Sequence, residues 1–374
     1  VVVSELLEAL GGGERLVVRH PLQPFSPAYF RTDDRRLFSY SRTSWEGATA
    51  LVGERVEAAP FFGEQALDAV DGSELVVDDL LRYFRHPTRF LLQRRVGLYL
   101  ADEGDAVDDR EPVTLGPLER YSLGSSLLGR ALEHGDLADA FPSVRAAGGL
   151  PLGAAGACAF ADMVPEVETL GSEAASWMQG DPPDPVAVDV TVGGTRLGGT
   201  LPGVWPGAQL VHGYGKLDAR RLLDIWIRHL VLLSLEDDDL PSTSVLVARP
   251  ERAGGPSSVS LGRLEGAGEL LADLVEVYLA GQREPLPLFP AASLEYVDGW
   301  HRAGHLDDAD RHAEAMRRAS AAFHRRWGAP GDAADRYVVR AFGSADPLEA
   351  GEGDFARLSL RVFDPLLEGL EEEA

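Results

Sequence analysis

Residues 198–230 read GGTLPGVWPGAQLVHGYGKLDARRLLDIWIRHL, and their pattern decides the fold. Residues 198–204 form a short apolar, glycine-rich run, and residues 209–215 a second strand-like run. A helix is expected from about Leu217, because Leu222, Leu223, Trp226, Ile227 and Leu230 recur at helical spacing. Trp205-Pro206-Gly207, between the two runs, predicts an exposed hairpin tip. Outward from this stretch, residues 186–192 read as a preceding strand. Residues 243–248 (TSVLVA) read as a β-branched strand after the helix, and residues 257–261 as a shorter one. Residues 264–281 predict a helix with Leu270, Leu271, Leu274, Val275 and Tyr278 on one face. Residues 305–327 predict a helix solvated on one side. Residues 148–156 read as a small-residue turn, and residues 102–110 (DEGDAVDDR) as an acidic loop. Residues 335–374 close the domain and end in acidic residues 371–373.

Strand, turn, strand and helix of this length resemble the core of the PD-(D/E)XK nucleases. In active relatives of the recombination type, the first strand carries G-x-x-D and the second D-Y-K. The carboxylates hold a divalent metal that polarises the phosphate and activates water, and the lysine stabilises developing charge. The matching positions here are Gly199-Thr200-Leu201-Pro202 and Gly213-Tyr214-Gly215. Pro202, Gly213 and Gly215 have no side chain able to ligate a metal. Residues 75–100 (LVVDDLLRYFRHPTRFLLQRRVGLYL) resemble the entry helix of RecB and AddB nuclease domains. That helix is expected to begin at about residues 77–79 with acids in its first turn, to break at Pro87, and to bury Phe84, Phe90 and Leu91. His86 stands where some of those relatives place an iron–sulfur cysteine. Residues 123–128 (LGSSLL) resemble the G-x-x-x-H helix start of active members, with Leu128 near the histidine position. The implied fold is α/β (α+β): a PD-(D/E)XK nuclease-like core, its central mixed sheet flanked by helices, with the catalytic residues absent.

Residues 19–30 (RHPLQPFSPAYF), followed by Ser39-Tyr40-Ser41, resemble a hallmark of the RecC family, the gamma chains of exodeoxyribonuclease V. Residues 284–290 (EPLPLFP) and 359–367 (SLRVFDPLL) fit the same family, so the resemblance runs from about residue 15 to the end. RecC chains are much longer, which implies a C-terminal portion that follows helicase-like domains. Residues 1–70 are then an irregular lead-in from the helicase-like body, where Pro21, Pro24 and Pro27 prevent a long helix. Residues 71–374 are then an inactive nuclease-like domain. The resemblance implies a non-catalytic scaffold that guides DNA strands within the RecBCD helicase–nuclease, in double-strand-break repair and homologous recombination. The implied partners are RecB-like and RecD-like subunits, with double-stranded DNA ends and single strands met only inside the complex. Such a role needs apolar interface area, and Phe25, Tyr29, Phe30 and Phe289 are the interface candidates, with Phe61, Phe62 and Trp177 as further aromatics. Arg82, Arg85, Arg89, Arg94 and Arg95 are candidate DNA contacts, and Trp205 a candidate for stacking on a base.

Composition limits these readings. The 374 residues carry 60 acidic and 35 basic side chains, a net charge of −25, so a DNA contact has to be local rather than a property of the whole surface. At 45% hydrophobic, the chain can bury one large core or two moderate ones. Cys158 is the only cysteine, so no intrachain disulfide forms, in keeping with a reducing cytoplasm. No apolar run is long enough to cross a membrane, and residues 1–10 lack the basic start of a signal peptide and read as a boundary inside a longer protein. No C-x-x-C, H-E-x-x-H or Walker motif occurs, so neither a metal nor a cofactor is expected. His301 and His305 could share a helix face, but two ligands do not make a metal site. Asp218 and Asp224 are expected to start and solvate the helix after the second strand. Two other classes stay open: a metal-dependent nuclease with a rearranged site using Asp189 or Asp218, and a protein-interaction module unrelated to DNA ends.

Overall fold

The computed structural model describes residues 2–11, 16–31, 33–54, 61–62, 66–100, 113–137, 139–250, 258–325, 331–343, 345–349, 351 and 353–370. The acidic loop at 102–110, Ser257, residues 326–327 and the acidic end at 371–373 lie outside them. The chain divides into two units, Val1–Ala59 and Pro60–Ala374.

The first unit holds helix α1 (Val2–Ala9), a 3-10 turn (Pro27–Phe30) and helix α2 (Arg42–Val52). The proline-rich motif folds as a local cap. Pro27 opens the 3-10 turn, and the Ser26 hydroxyl accepts from the Ala28 amide at 3.4 Å. The Tyr29 hydroxyl donates to the Pro21 carbonyl at 3.2 Å, and its ring stacks on His20. Helix α2 departs from the irregular lead-in expected here. It begins at Arg42, well past Pro27, with the Ser41 hydroxyl accepting from the Ser44 amide at 3.2 Å as its N-cap.

In the second unit, strand β1 (Glu74–Val76) leads into α3 (Val77–Arg85) and α4 (Pro87–Arg94). The break falls at His86, because Pro87 suits the first turn of a new helix but not the interior of an old one. Phe84, Phe90 and Leu91 are buried. Helices α5 (Pro117–His134), α6 (Ala140–Ala146) and α7 (Ala154–Trp177) follow. Leu128 is therefore in the middle of α5, not near a helix start, and is buried. Next come strands β2 (Val186–Val192), β3 (Thr195–Leu201) and β4 (Gln209–Lys216), then helix α8 (Ala219–Leu233), β5 (Ser244–Arg249) and β6 (Ser258–Leu261). Helices α9 (Ala267–Ala280), α10 (Pro290–Arg302), α11 (Asp308–Phe323), α12 (Arg336–Phe342) and α13 (Asp354–Gly369) complete the unit. His305 lies past the end of α10, so it shares no helix face with His301, whose Nε2 sits 2.5 Å from Asp364.

The strands form two three-stranded mixed sheets rather than one central sheet. In the first, β3 runs between parallel β1 and antiparallel β2. In the second, β5 runs between parallel β4 and antiparallel β6. Two adjacent glycines with positive φ, Gly193 and Gly194, join β2 to β3, the backbone that a two-residue hairpin requires. Between β3 and β4 the pairing lapses to a single bridge, Val204 with Gln209, which is why the sheets separate there. The tip of that turn is Pro206-Gly207, and both residues are exposed. Trp205 is not at the tip: its amide donates to the Ala208 carbonyl at 2.9 Å, and its indole is only 8% exposed. It packs in a core with residues of α5, α7, β4 and β5, so burial of a large apolar ring overrides the turn signal.

Helix α8 crosses between the parallel strands β4 and β5 and is buried almost all round. Leu223, Trp226, Ile227 and Leu230 join the main core, shared with α3, α9, α10 and α13. His229 is buried too. Its Nε2 donates to the Gly262 carbonyl at 2.9 Å, and its Nδ1 lies 2.9 Å from Ser244 Oγ, which ties α8 to the second sheet. The other face of that sheet is covered by α5 and α7. Gly124 of α5 lies flat against the buried Tyr214 ring, where a Cβ would overlap the ring atoms. Gly124→Ala is therefore expected to destabilise the fold by about 1–3 kcal/mol through overpacking, although alanine is the better helix former. Urea unfolding checks this; an unchanged or raised midpoint would contradict the packing described.

Candidate functional site

Side chains alternate along β4. Leu210 and Tyr214 face the core under α5 and α7. Gly213 and Gly215 face Arg221, in the first turn of α8. A Cβ on Gly213 would lie 3.1 Å from the Arg221 Nη1, and one on Gly215 would run into the guanidinium. Arg221 thus fills the ground that any side chain at either position would need. Its position is set from below: Asp218 N-caps α8 by accepting from the Arg221 amide at 3.0 Å. Pro202 is exposed at the end of β3.

Around Arg221 lies a pocket of about 400 Å³, lined by Arg85, Arg220, Arg228, Asp218 and Asp224 among others. Asp224 is 7% exposed and holds two guanidiniums, Arg85 at 2.5 Å and Arg228 at 2.9 Å. The sequence predicts a solvated helix acid at this position. It lies instead on the buried side of α8, where only paired charges are tolerated. Arg220 reaches Asp332 at 3.0 Å. Burial raises the Asp332 pKa, against the pull of Arg220 and His86. His86 caps α4 by accepting from the Arg89 amide at 3.1 Å, and its other nitrogen lies 3.1 Å from Asp335.

A second pocket, about 410 Å³, adjoins the first through Arg85 and gathers Arg82, Arg89 and Arg94. Arg82 and Arg94 share Asp79, and Arg89 lies over the Tyr337 ring at 5.4 Å. Arg95 turns away. Its guanidinium donates to the Gln282 and Asp68 carbonyls, so it ties down chain instead of lining the groove. The structure thus brings four of the five predicted arginines together.

The other predicted residues separate. Phe25 is 37% exposed, and Tyr29 and Phe30 are half-buried, all within the first unit. Phe289 is 2% exposed, packed against Phe323 and Phe342 in the main core, and presents no surface to a partner. Phe61 and Phe62 pack on each other beside Tyr337, and Trp177 packs on the second core. Asp189 is paired across the hairpin with Arg196 at 2.7 Å, and that guanidinium holds its carboxyl below the ordinary range. Among the described residues, no three His, Cys, Asp or Glu side chains converge as a cation cage.

One cluster had no sequence signal. Glu166 of α7 meets the Tyr214 hydroxyl at 2.5 Å, Arg120 at 3.0 Å and Arg249 at 2.8 Å, and Arg249 covers the Tyr214 ring at 4.6 Å. Burial pushes Glu166 up, but the Tyr214 hydrogen bond and the two guanidiniums outweigh it, and its pKa falls below the ordinary range. Burial, then the bond to Glu166, push Tyr214 up to about 12. A carboxylate lowered in the folded state stabilises above its unfolded pKa, and that contribution is lost as pH falls through the folded value. Glu166→Gln is therefore expected to cost roughly 1–3 kcal/mol at neutral pH. The difference from the unmodified chain should narrow once pH falls below the ordinary glutamate value, about 4.3, and close in acid below the lowered folded value. Urea unfolding at the two pH values checks it, and a gap that persists in acid would contradict the charge argument.

The RecC C-terminal domain family matches residues 72–301. The chain is similar to the RecBCD enzyme subunit RecC of Mycolicibacterium smegmatis, at 30% identity over 94% of this chain and 33% of that one. The RecBCD enzyme subunit RecC of Escherichia coli is 27% identical over 74% of this chain and 23% of its own length. That of Mycobacterium tuberculosis is 28% identical over 98% and 34%. The chain spans about a third of the length of the mycobacterial relatives and less of the Escherichia coli one.

Proposed function

The chain belongs to the RecC C-terminal domain family, and from that premise we propose that it is a non-catalytic scaffold that guides DNA strands in a RecBCD-type helicase–nuclease. Its partners on this reading are RecB-like and RecD-like subunits, and its process is the repair of double-strand breaks by recombination. The observation that carries the non-catalytic part is the Arg221 guanidinium, lying over Gly213 and Gly215 where active relatives need a metal-binding acid and a lysine. A cation there repels a metal ion. The order β2, β3, β4, α8, β5, with β4 and β5 parallel across the helix, supports reading this region as a decayed PD-(D/E)XK core. Both acids that a rearranged site would use are engaged elsewhere, Asp189 with Arg196 and Asp218 as the α8 cap.

The groove holding Arg82, Arg85, Arg89 and Arg94 is the proposed DNA-facing surface, and Phe25, Tyr29 and Phe30 are the proposed contacts to a partner subunit. The family match beginning at residue 72 supports a lead-in over residues 1–70 and a body over 71–374. Among the described residues no helix is long and apolar enough to cross a membrane, and the proposed setting is the cytoplasm. The test is incubation of the purified chain with linear double- and single-stranded DNA in magnesium or manganese. No metal-dependent cleavage is expected. Cleavage lost in Asp189→Asn or Asp218→Asn would replace this reading with that of a rearranged nuclease.

A further inference from the structure

We infer that the pocket around Arg221 is an anion site that takes one phosphate of a nucleic-acid strand, with the Arg221 guanidinium as the main ligand. Each neighbouring arginine is matched: Arg85 and Arg228 with Asp224, and Arg220 with Asp332. Among the described residues, the Arg221 guanidinium has no hydrogen-bonded or ion-paired partner. It is half-buried, held against β4 by the missing side chains of Gly213 and Gly215. A charged group placed so, with its donors unspent, is poised for a ligand of opposite sign.

The pocket suits that ligand. Its wall carries four guanidiniums against two carboxylates, in a chain whose net charge is −25. Both carboxylates are committed, Asp224 to its two arginines and Asp218 to the Arg221 amide. The pocket opens beside the N-terminus of α8, a helix of 15 residues whose dipole adds positive potential there. Val211 and Leu246 supply an apolar floor that strengthens the field. About 400 Å³ admits a phosphodiester with its flanking sugars, and the two non-bridging oxygens match the fork of a guanidinium. A fixed cation would thus hold the phosphate that a metal ion holds in a working nuclease core, without the means to cleave it. The choice of a DNA strand as the source of that phosphate rests on the strand-guiding reading above. The anion site itself does not.

The test is fluorescence anisotropy of a labelled oligothymidylate with the full chain, together with isothermal titration calorimetry of the same chain with inorganic phosphate and with pyrophosphate. Arg221→Gln is expected to weaken oligonucleotide binding about tenfold, and to lower the salt slope by about 0.7, the release from one single-strand phosphate. Gly213→Asp places a carboxylate beside the guanidinium and should give the same loss with an unchanged circular dichroism spectrum. Arg302→Gln, which alters an exposed arginine on α10, should change nothing. Equal affinity and salt slope for the unmodified chain and Arg221→Gln would overturn the proposal, as would failure of the unmodified chain to bind any of the three probes. Arg221-dependent binding of phosphate or pyrophosphate without binding of the oligonucleotide would uphold the anion site and remove the strand as its source.

Discussion

Asp224→Ala is expected to destabilise the second unit by about 3–5 kcal/mol, the usual cost of stripping one partner from a buried ion pair. The loss comes mainly through Arg228, whose side chain is 15% exposed and would keep its charge after losing the carboxylate it is paired with. Arg85 is more than half exposed, and water screens what it loses. The double variant Asp224→Ala, Arg228→Met removes the stranded charge and should recover most of the stability. Urea unfolding of the two variants measures this. A loss below about 1 kcal/mol in the single variant, the worth of a surface pair, would mean that Asp224 is solvated.

Trp226→Ala is the second large effect, about 3–5 kcal/mol for emptying the site of a fully buried indole. Trp226 is 1% exposed on α8 and touches the end of α13, where a Cβ on Gly369 would lie 3.1 Å from its ring. The cavity would lie between these two helices. Amide exchange in the last turn of α13 should therefore speed up more than exchange in α5, which packs on the other core. Equal acceleration in both helices would show that the two cores unfold as one.

The elements were legible where periodicity and flanking turns agreed. The strand over Val186–Val192 lies where the sequence reading places it, and α8 follows the spacing of its leucines and Trp226. Pro87 divided α3 from α4 for a reason visible in the chain. The separation of the strands into two sheets was not legible, because it depends on pairing that lapses after Leu201 and not on any residue pattern. Helix α7 has no clear signature in the chain. Alanine and glycine crowd its first turns and Pro165 sits in its interior, so its propensity signal is mixed. In the site, the loss of side chains at Gly213 and Gly215 could be read directly, but the residue filling the space could not. Arg221 is one of two adjacent arginines, and only the phase of α8 against β4 selects it over Arg220. Phe289 and Trp205 show the converse limit: an aromatic in a proline-rich segment looks the same in sequence whether it faces a partner or its own core.

The central claim is that this chain works as part of an assembly. Its most direct test is co-expression with tagged RecB-like and RecD-like subunits from the same genome, followed by capture at moderate salt. The account predicts that the chain co-purifies with at least one of them, and that Phe25→Ala with Tyr29→Ala weakens the capture without unfolding the chain. A folded chain that neither subunit retains would contradict it.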